Sequence, residues 1–274
     1  MADKRPIGIF DSGVGGLTVA REVFRLLPHE HVIYFGDVGR TPYGGRSKEI
    51  ITHFTRQDIT FLIEQNVKYI VSACNTVSSV ALEEVEKDYT INIMGVIEPG
   101  AKAAVENTKT GRIGVIGTHA TINSNAYARC IHAIDSKLKV FSLACPLFVP
   151  LVEEGYIDRE ATFLIARDYL QTMLDVDIDT LVLGCTHYPL LKDVIATVMG
   201  PKVTLIESGE EIAKVVYRFL ADNDLMNPQS SQKPGPIGEQ KFFVSDVPDK
   251  FTSLATRFLG QVVDNVTRID ISKY

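Results

Sequence analysis

The chain has 274 residues with a net charge of −6, and 45% of its residues are hydrophobic and 23% charged. This size and composition are typical of a globular protein with one large or two ordinary domains and a core that needs neither disulfides nor metals. The acidic balance and the absence of a basic run argue against nucleic-acid binding. No stretch is as long as a membrane span and no secretion signal precedes the first apolar run, so we expect a cytoplasmic protein.

Short apolar runs alternate along the chain with amphipathic stretches. The runs predict strands at residues 7–13, 31–37, 69–74, 91–98, 112–118, 139–145, 180–185 and 203–208. Apolar residues at helical spacing predict helices at residues 15–27, 47–65, 159–174 and 209–223. Because the strand runs are continuously apolar, they predict strands buried on both faces, and their alternation with helices predicts a parallel α/β fold.

The sequence repeats itself weakly along its length. "IGIFDSG" at 7–13 resembles "IGVIGTH" at 113–119, and "YIVSACNTVSS" at 69–79 resembles "TLVLGCTHYPL" at 180–190. The two matched pairs come in the same order and at nearly the same offset. The repeat therefore predicts two related parallel-sheet α/β domains with a cleft between them.

The region after residue 208 is too short for a third domain. A helix is followed by a loop rich in Pro, Gly, Ser and Gln at 227–240, then by the strand-like run "KFFVSD" and a final helix. We expect this region to pack on the first half. The predicted domains are residues 1–97 together with 209–274, and residues 98–208.

The four cysteines are far apart and form no CxxC pair, which argues against a structural zinc site and predicts free thiols in a reducing compartment. Cys130 and Cys145 are interpreted as small buried hydrophobic residues. Cys74 and Cys185 differ, because each follows a strand and precedes polar residues. Ligands of open parallel sheets bind at such strand ends, so two facing domains would place one thiol on each wall of a cleft.

Residues that start a helix follow each of these two thiols. Thr76 or Asn75 is expected to cap a helix after Cys74, and Thr186 a helix after Cys185. The free N–H groups at a helix start lower the pKa of a thiol and bind carboxylates. The same arrangement therefore predicts a reactive cysteine and an anion pocket.

Three further segments place polar groups at the same sheet edges. His187 lies two residues after Cys185 and is a candidate acid or base, whereas no Cys/His set has the spacing of a metal site. "DSGVGG" matches neither a dinucleotide fingerprint nor a Walker sequence, and we interpret it as a carboxylate-binding turn in which Asp11 handles a proton. The loop "GRTPYGG" brings Tyr43 and Gly44 to the end of another strand.

Five motifs of this chain resemble those of the cofactor-independent glutamate racemases. They are "IFDSGVGGLTV", "DVGRTPYG", "ACNTVSS", "CPLFVPLVEEG" and "LGCTHYPLL", and they occur in that order from residue 7 to about residue 220. The resemblance implies two similar α/β domains around one active site and the interconversion of L- and D-glutamate, which supplies D-glutamate for peptidoglycan. It also implies that no cofactor is used and that the protein is a homodimer.

By this resemblance, Cys74 and Cys185 are the two acid/base thiols, with Asp11 assisting Cys74 and His187 assisting Cys185. Inverting an α-carbon needs a base on one face and an acid on the other, and two thiols on opposite walls meet this need. Neutral donors and helix starts would stabilise the developing enediolate-like carboxylate. No motif singles out a lysine for a Schiff base, which argues against pyridoxal phosphate.

Two adjacent glutamates, Glu153 and Glu154, belong to the fourth motif. The resemblance favours Glu153 as the one that reaches the site. It also implies a set of glutamate-binding residues, namely Asp11, Ser12, Tyr43, Gly44, Asn75, Thr76, Thr186 and His187.

Three other functions stay open on the residues alone. A racemase for aspartate is disfavoured because, by the resemblance, relatives that act on aspartate usually carry a glutamate where this chain has His187. A cysteine hydrolase that uses Cys185 and His187 would leave Cys74 without a role. A binding protein of the periplasmic-receptor type would need a secretion signal.

Overall fold

Two parallel β-sheets and twelve α-helices make up residues 3–228 and 236–274, the part of the chain that this computed structural model describes. The strands are β1 Ile7–Asp11, β2 Val32–Gly36, β3 Tyr69–Ser72, β4 Ile93–Gly95, β5 Arg112–Gly117, β6 Lys139–Ala144, β7 Thr180–Gly184, β8 Thr204–Glu207, β9 Gln240–Val244 and β10 Val266–Arg268.

The helices cover the faces of these sheets and connect their strands. They are α1 Leu17–Leu26, α2 Lys48–Glu64, α3 Asn75–Val80, α4 Leu82–Val85, α5 Ile97–Asn107, α6 His119–Asn123, α7 Ala126–Ile134, α8 Phe148–Glu153, α9 Glu160–Asp175, α10 Lys192–Met199, α11 Ser208–Asp222 and α12 Pro248–Leu259. Short 3₁₀ turns lie at Glu86–Asp88, Tyr188–Leu191 and Ile271–Lys273.

The two sheets share one strand order. The first runs β10-β9-β2-β1-β3-β4 and the second runs β6-β5-β7-β8, and every paired strand is parallel. The central order β2-β1-β3-β4 of the first sheet is therefore repeated in the second. The predicted class of two parallel-sheet α/β domains is confirmed, whereas the exact domain boundaries stay a prediction.

Burial follows the pattern of apolar residues along the strands. Every residue of β1, β2, β3 and β7 is buried, as continuous apolar runs predict for strands covered on both faces. The prediction was wrong for β6, an edge strand in which no residue is buried. The eight predicted strands and the "KFFVSD" strand are all present. Strand β10 was missed, because it is a short, partly exposed edge strand with the sequence VTR and has no apolar run.

The C-terminal region extends the first sheet. Strand β9 pairs with β2 from end to end, and β10 pairs with β9. Helix α11 leaves the second sheet and packs on α1, and α12 packs on α1 as well. Of the predicted loop at 227–240, residues 229–235 lie outside the described part, and its last residue begins β9.

No helix within the described residues is long and apolar enough to cross a membrane.

A buried ion pair joins four separate segments beside the first sheet. Lys68 Nζ lies 2.5 Å from Glu30 Oε2 and also donates to the carbonyls of Asp3 and Leu225, at 2.8 and 2.7 Å. Glu30 Oε1 in turn accepts the backbone N–H of Asn227 at 2.6 Å. Both charged side chains are fully buried, so each depends on the other for its charge compensation.

Replacing Lys68 by Met should lower the free energy of unfolding by about 3–5 kcal/mol, because it leaves the Glu30 carboxylate buried without a cation. Denaturant unfolding followed by circular dichroism measures this, since the chain contains no tryptophan. Lys214→Met is the matched control: its pair with Glu211 is partly exposed, so the loss should stay below about 1 kcal/mol. Equal losses in the two variants would contradict the prediction.

Candidate active site

The candidate site lies where the carboxyl ends of the central strands of the two sheets come together. In each sheet the strand order reverses at the central pair, β1 and β3 or β5 and β7, and ligands of such sheets bind at that point. Asp11 is the last residue of β1, Cys74 follows β3 and Cys185 directly follows β7. The two thiols are 5% and 6% exposed, so the cleft is closed around them.

Hydrogen bonds join the two halves around the thiols. They run from the Thr18 hydroxyl to the Thr186 carbonyl at 2.9 Å, from the Tyr127 hydroxyl to Asn75 Oδ1 at 2.7 Å, and between the Thr76 and Thr118 hydroxyls at 3.0 Å. The backbone of Gly15 also touches the opposite half, because a Cβ there would overlap Thr186 Oγ1 and lie 2.6 Å from the His187 ring.

Cys74 is surrounded by groups that keep its thiol neutral. Burial and the nearby Asp11 carboxylate raise the pKa of the thiol to about 12, against the opposing effect of its 3.5 Å hydrogen bond to the Ser12 hydroxyl and of backbone N–H groups. The expectation that a helix start would lower this pKa was wrong. The helix after Cys74 has only six residues, and desolvation of the thiolate outweighs its N–H groups.

Asp11 is a buried carboxyl group with one free oxygen. Its Oδ2 accepts the backbone N–H of Gly13 at 3.0 Å, whereas Oδ1 has no hydrogen-bond partner within residues 3–228 and 236–274. Burial raises the pKa of Asp11, and the opposing influence of His187 comes next in size. Asp11 makes no direct hydrogen bond to Cys74 in the described part of the chain, but its carboxylate is near enough to raise the pKa of that thiol.

Cys185 has a histidine and a glutamate behind it. Its sulfur lies 4.0 Å from His187 Nδ1, and His187 Nε2 lies 3.0 Å from Glu153 Oε1. Burial opposes a charged ring, but the interactions with Cys185 and Glu153 prevail and raise the pKa of His187 to about 10. Of the two adjacent glutamates, Glu153 at the end of α8 is therefore the one that reaches the histidine.

The helix caps predicted beside the thiols were wrong. Cys74 itself stands at the N-cap of α3, so Asn75 and Thr76 lie inside the first turn. Thr186 precedes a 3₁₀ turn whose N-cap is His187 and whose first turn contains Pro189. Buried polar contacts across the cleft, rather than capping, therefore use the side chains of Asn75 and Thr76.

The loop after β2 contains two predicted substrate-binding residues, Tyr43 and Gly44, and only one of them borders the cleft. The Tyr43 hydroxyl donates to the buried carboxylate of Asp37 and lies 3.3 Å from Asp58 Oδ2, so the phenol is engaged there. Gly44 lies against Thr118, since a Cβ on this glycine would be 3.0 Å from the threonine Cβ. Gly44 thus borders the cleft, whereas a substrate contact of the Tyr43 side chain is not supported by its hydrogen bonds.

Sequence reasoning missed several residues that line the junction. Thr118 follows β5 and aligns with Ser12 in the internal repeat, so the repeat carried a signal for it. Tyr127 carries no such signal, because it lies in α7 outside every motif. Its hydroxyl is fully buried between Asn75 Oδ1 and Ser208 Oγ, at 2.7 and 3.1 Å.

The other two cysteines differ from each other in burial. Cys145 is fully buried, and burial raises the pKa of its thiol to about 12. Cys130 is only half-buried, so the prediction of a buried hydrophobic residue holds for Cys145 alone. No group of three or more His, Cys, Asp or Glu side chains in the described ranges could hold a metal ion.

Comparison with known proteins places this geometry in a family. The sequence profile described as Asp/Glu/hydantoin racemase matches residues 41–216. A glutamate racemase of Geobacter metallireducens is 48% identical, with 97% of each chain covered. The crystal structure of glutamate racemase isoform RacE1 from Bacillus anthracis superposes with a TM-score of 0.92 at 40% identity, again with 97% of each chain covered.

A glutamate racemase structure from Francisella tularensis, in complex with D-glutamate, has a TM-score of 0.91 at 40% identity and covers 99% of this chain and 100% of its own. The fold and the match define an isomerase of the amino-acid racemase class. The chain belongs to the Asp/Glu/hydantoin racemase family, among the glutamate racemases.

Replacing Gly15 by Ala should lower kcat/KM for racemisation by roughly 10²-fold, because the added methyl group displaces Thr186 and the His187 ring by the order of an ångström. Gly45→Ala is the matched control, since nothing lies within 4 Å of the added Cβ there. Steady-state racemisation rates measure both variants. Equal activity of the two would show that the contact at Gly15 does not fix the site.

Proposed function

We propose that this protein interconverts L- and D-glutamate by moving the α-proton between two thiols, Cys74 and Cys185, without a cofactor. The observation that carries the proposal is the equivalent placement of two buried thiols at the ends of β3 and β7. The strands β3 and β7 occupy equivalent positions, because the order β2-β1-β3-β4 of the first sheet is repeated as β6-β5-β7-β8 in the second. A single thiol would return the proton to the face it came from, whereas two facing thiols allow inversion.

The two thiols have different partners, which suits a pair that alternates between acid and base. A protonated His187 beside Cys185 stabilises negative charge on that sulfur. Cys74 lies beside the Asp11 carboxyl and is held as a neutral thiol. The resting pair would therefore be a thiolate at Cys185 and a thiol at Cys74, and one turnover would exchange these states.

The polar groups at the junction provide the stabilisation that a weak carbon acid needs. Asn75 accepts the Tyr127 hydroxyl through Oδ1, which leaves its NH₂ group as a donor for a substrate carboxylate. The hydroxyls of Ser12, Thr76 and Thr186 and nearby backbone N–H groups would bind in the same way. Preorganised neutral donors of this kind stabilise an enediolate-like transition state in a closed, dry site.

Glutamate as the substrate is supported by the relatives. The Geobacter metallireducens protein is named a glutamate racemase, and the Francisella tularensis structure contains D-glutamate. A role in supplying D-glutamate for peptidoglycan, a cytoplasmic location and a homodimeric state belong to the same proposal and rest on the resemblance. Because both thiols are buried, the two halves must separate for substrate to enter.

Cys74→Ser and Cys185→Ser should each lower kcat/KM by about 10²–10⁴-fold in both directions, because each removes one of two acid/base groups. Wild-type protein in D₂O should place deuterium at the α-carbon of the inverted product, with no cofactor added. Circular dichroism or NMR of the amino acid measures both, and Cys130→Ser is the control thiol. Near-normal racemisation by either active-site variant would contradict the two-thiol proposal, and faster turnover of aspartate would contradict the substrate.

The pH profile should show the role of His187. Its pKa of about 10 means that the ring stays charged at neutral pH and loses its proton as the pH rises through about 10. Wild-type kcat/KM should fall over that range, because the Cys185 thiolate loses its cation. His187→Asn should be about 10²-fold slower at neutral pH and lack this alkaline decrease.

Circular dichroism at each pH provides the folding control. An unchanged alkaline decrease in the variant would assign it to another group.

A further inference from the structure

The last helix of the chain reaches from the first sheet to the site residues of the second half. Helix α12 packs on α1, and Arg21 Nη1 of α1 lies 3.4 Å from the Phe258 carbonyl, to which it donates. From this position two consecutive residues of α12, Arg257 and Phe258, contact the Glu153–His187 pair from two sides. Neither residue belongs to a motif shared with the family in the sequence.

Arg257 holds the end of α8. Its Nη1 donates to the carbonyls of Val152 and Glu153, at 2.9 and 2.7 Å. These are the last two residues of a six-residue helix, whose final carbonyls bond to groups outside the helix. The Val152 carbonyl also accepts the backbone N–H of Gly155 at 3.1 Å. A cation at that end also interacts favourably with the helix dipole. The guanidinium therefore fixes the backbone from which the Glu153 carboxylate extends.

The turn after α8 is shaped around this guanidinium. Gly155 has φ +76°, a left-handed conformation that favours glycine, and it lies two residues after the end of α8. A Cβ on Gly155 would lie 2.8 Å from Arg257 Nη2, so a side chain there would shift the guanidinium. The close approach depends on a specific backbone conformation as well as on the two hydrogen bonds.

Phe258 packs against His187, the second residue of the Glu153–His187 pair. Its ring meets the His187 ring edge to face, with centroids 5.3 Å apart and planes at 86°. Phe258 is fully buried, so it acts as a fixed wall against the imidazole. In this arrangement one ring nitrogen faces Cys185 and the other faces Glu153.

The position of Glu153 explains why the end of α8 needs support from another helix. The Glu153 side chain is 31% exposed and sits at the end of a helix too short to be stable alone. The 3.0 Å contact with His187 therefore requires that the end of α8 be held from outside.

We propose that Arg257 and Phe258 are positioning residues for proton transfer at Cys185: they fix Glu153 and His187 from the opposite half of the molecule. The inference rests on the two-thiol function proposed above. It makes closure of the two halves a condition for an ordered Cys185 site, because both contacts cross between them. It also predicts that proton transfer at Cys74 does not depend on these two residues.

The test compares Arg257→Leu and Arg257→Lys with wild type. The Leu variant should lose roughly tenfold or more in kcat/KM, and the Lys variant less, since one ammonium can still reach a carbonyl. Arg268→Leu is the matched control, as its side chain is 66% exposed and lies 3.8 Å from Asp246. Unchanged kcat/KM in Arg257→Leu would overturn the inference.

Isotope effects separate positioning from a general loss of folded protein. With α-deuterated substrates, Arg257→Leu should raise the isotope effect on kcat/KM for the one enantiomer whose proton Cys185 removes, because that step becomes slower. The isotope effect on kcat/KM for the other enantiomer should decrease, because removal of its α-proton by Cys74 then limits the rate less. Loss of folded protein changes neither, so lower activity with both isotope effects unchanged would overturn the inference. Phe258→Leu should show the same asymmetry.

A double-variant comparison tests whether Arg257 acts through Glu153. Glu153→Gln combined with Arg257→Leu should be no slower than Glu153→Gln alone, because the position of the carboxylate no longer matters. Losses that multiply would overturn the inference. Cys185→Ser, assayed in parallel, tests the function itself: if it racemises glutamate normally, the proposed function fails whatever Arg257 does.

Discussion

The hydrogen bonds that join the carboxyl ends of the two sheets are the contacts on which the site depends. Thr18 bonds to the Thr186 backbone, Tyr127 to Asn75, and Thr76 to Thr118. Each bond is buried or partly buried, where an unpaired partner would cost the full desolvation of a polar group. The bonds therefore favour a closed cleft with one thiol on each side, and they also orient residues that are candidates to bind the substrate.

The closed cleft gives the two thiols opposite electrostatic surroundings. A buried carboxyl group stands beside Cys74, and a histidine with a raised pKa stands beside Cys185. Burial raises the pKa of the Cys74 thiol, whereas a charged imidazole beside Cys185 can stabilise negative charge on that sulfur. The proposed two-thiol mechanism needs such a difference, because its two groups would start each turnover in different protonation states.

The sequence predicted the strands and the two thiols well because those signals are local. Apolar runs marked every strand of the two sheets except β10, and the repeat placed Cys74 and Cys185 at equivalent strand ends. The short edge strand β10 was missed, since a three-residue polar edge strand forms only when a neighbour offers a free edge. The caps predicted after the thiols were wrong, because the chain uses one turn of 3₁₀ helix after Cys185 and a thiol at the N-cap of α3.

The sequence by itself determined the fold class, the two-part architecture and the pair of cysteines, because apolar periodicity and strand-end motifs depend only on neighbouring residues. The tertiary structure decided which groups surround each thiol. Tyr127, Arg257 and Phe258 lie far along the chain from the residues they contact, and no local pattern predicts such contacts. Burial and charge at the assembled cleft, rather than a helix start, set the direction of the Cys74 pKa, and these exist only once distant segments have packed together.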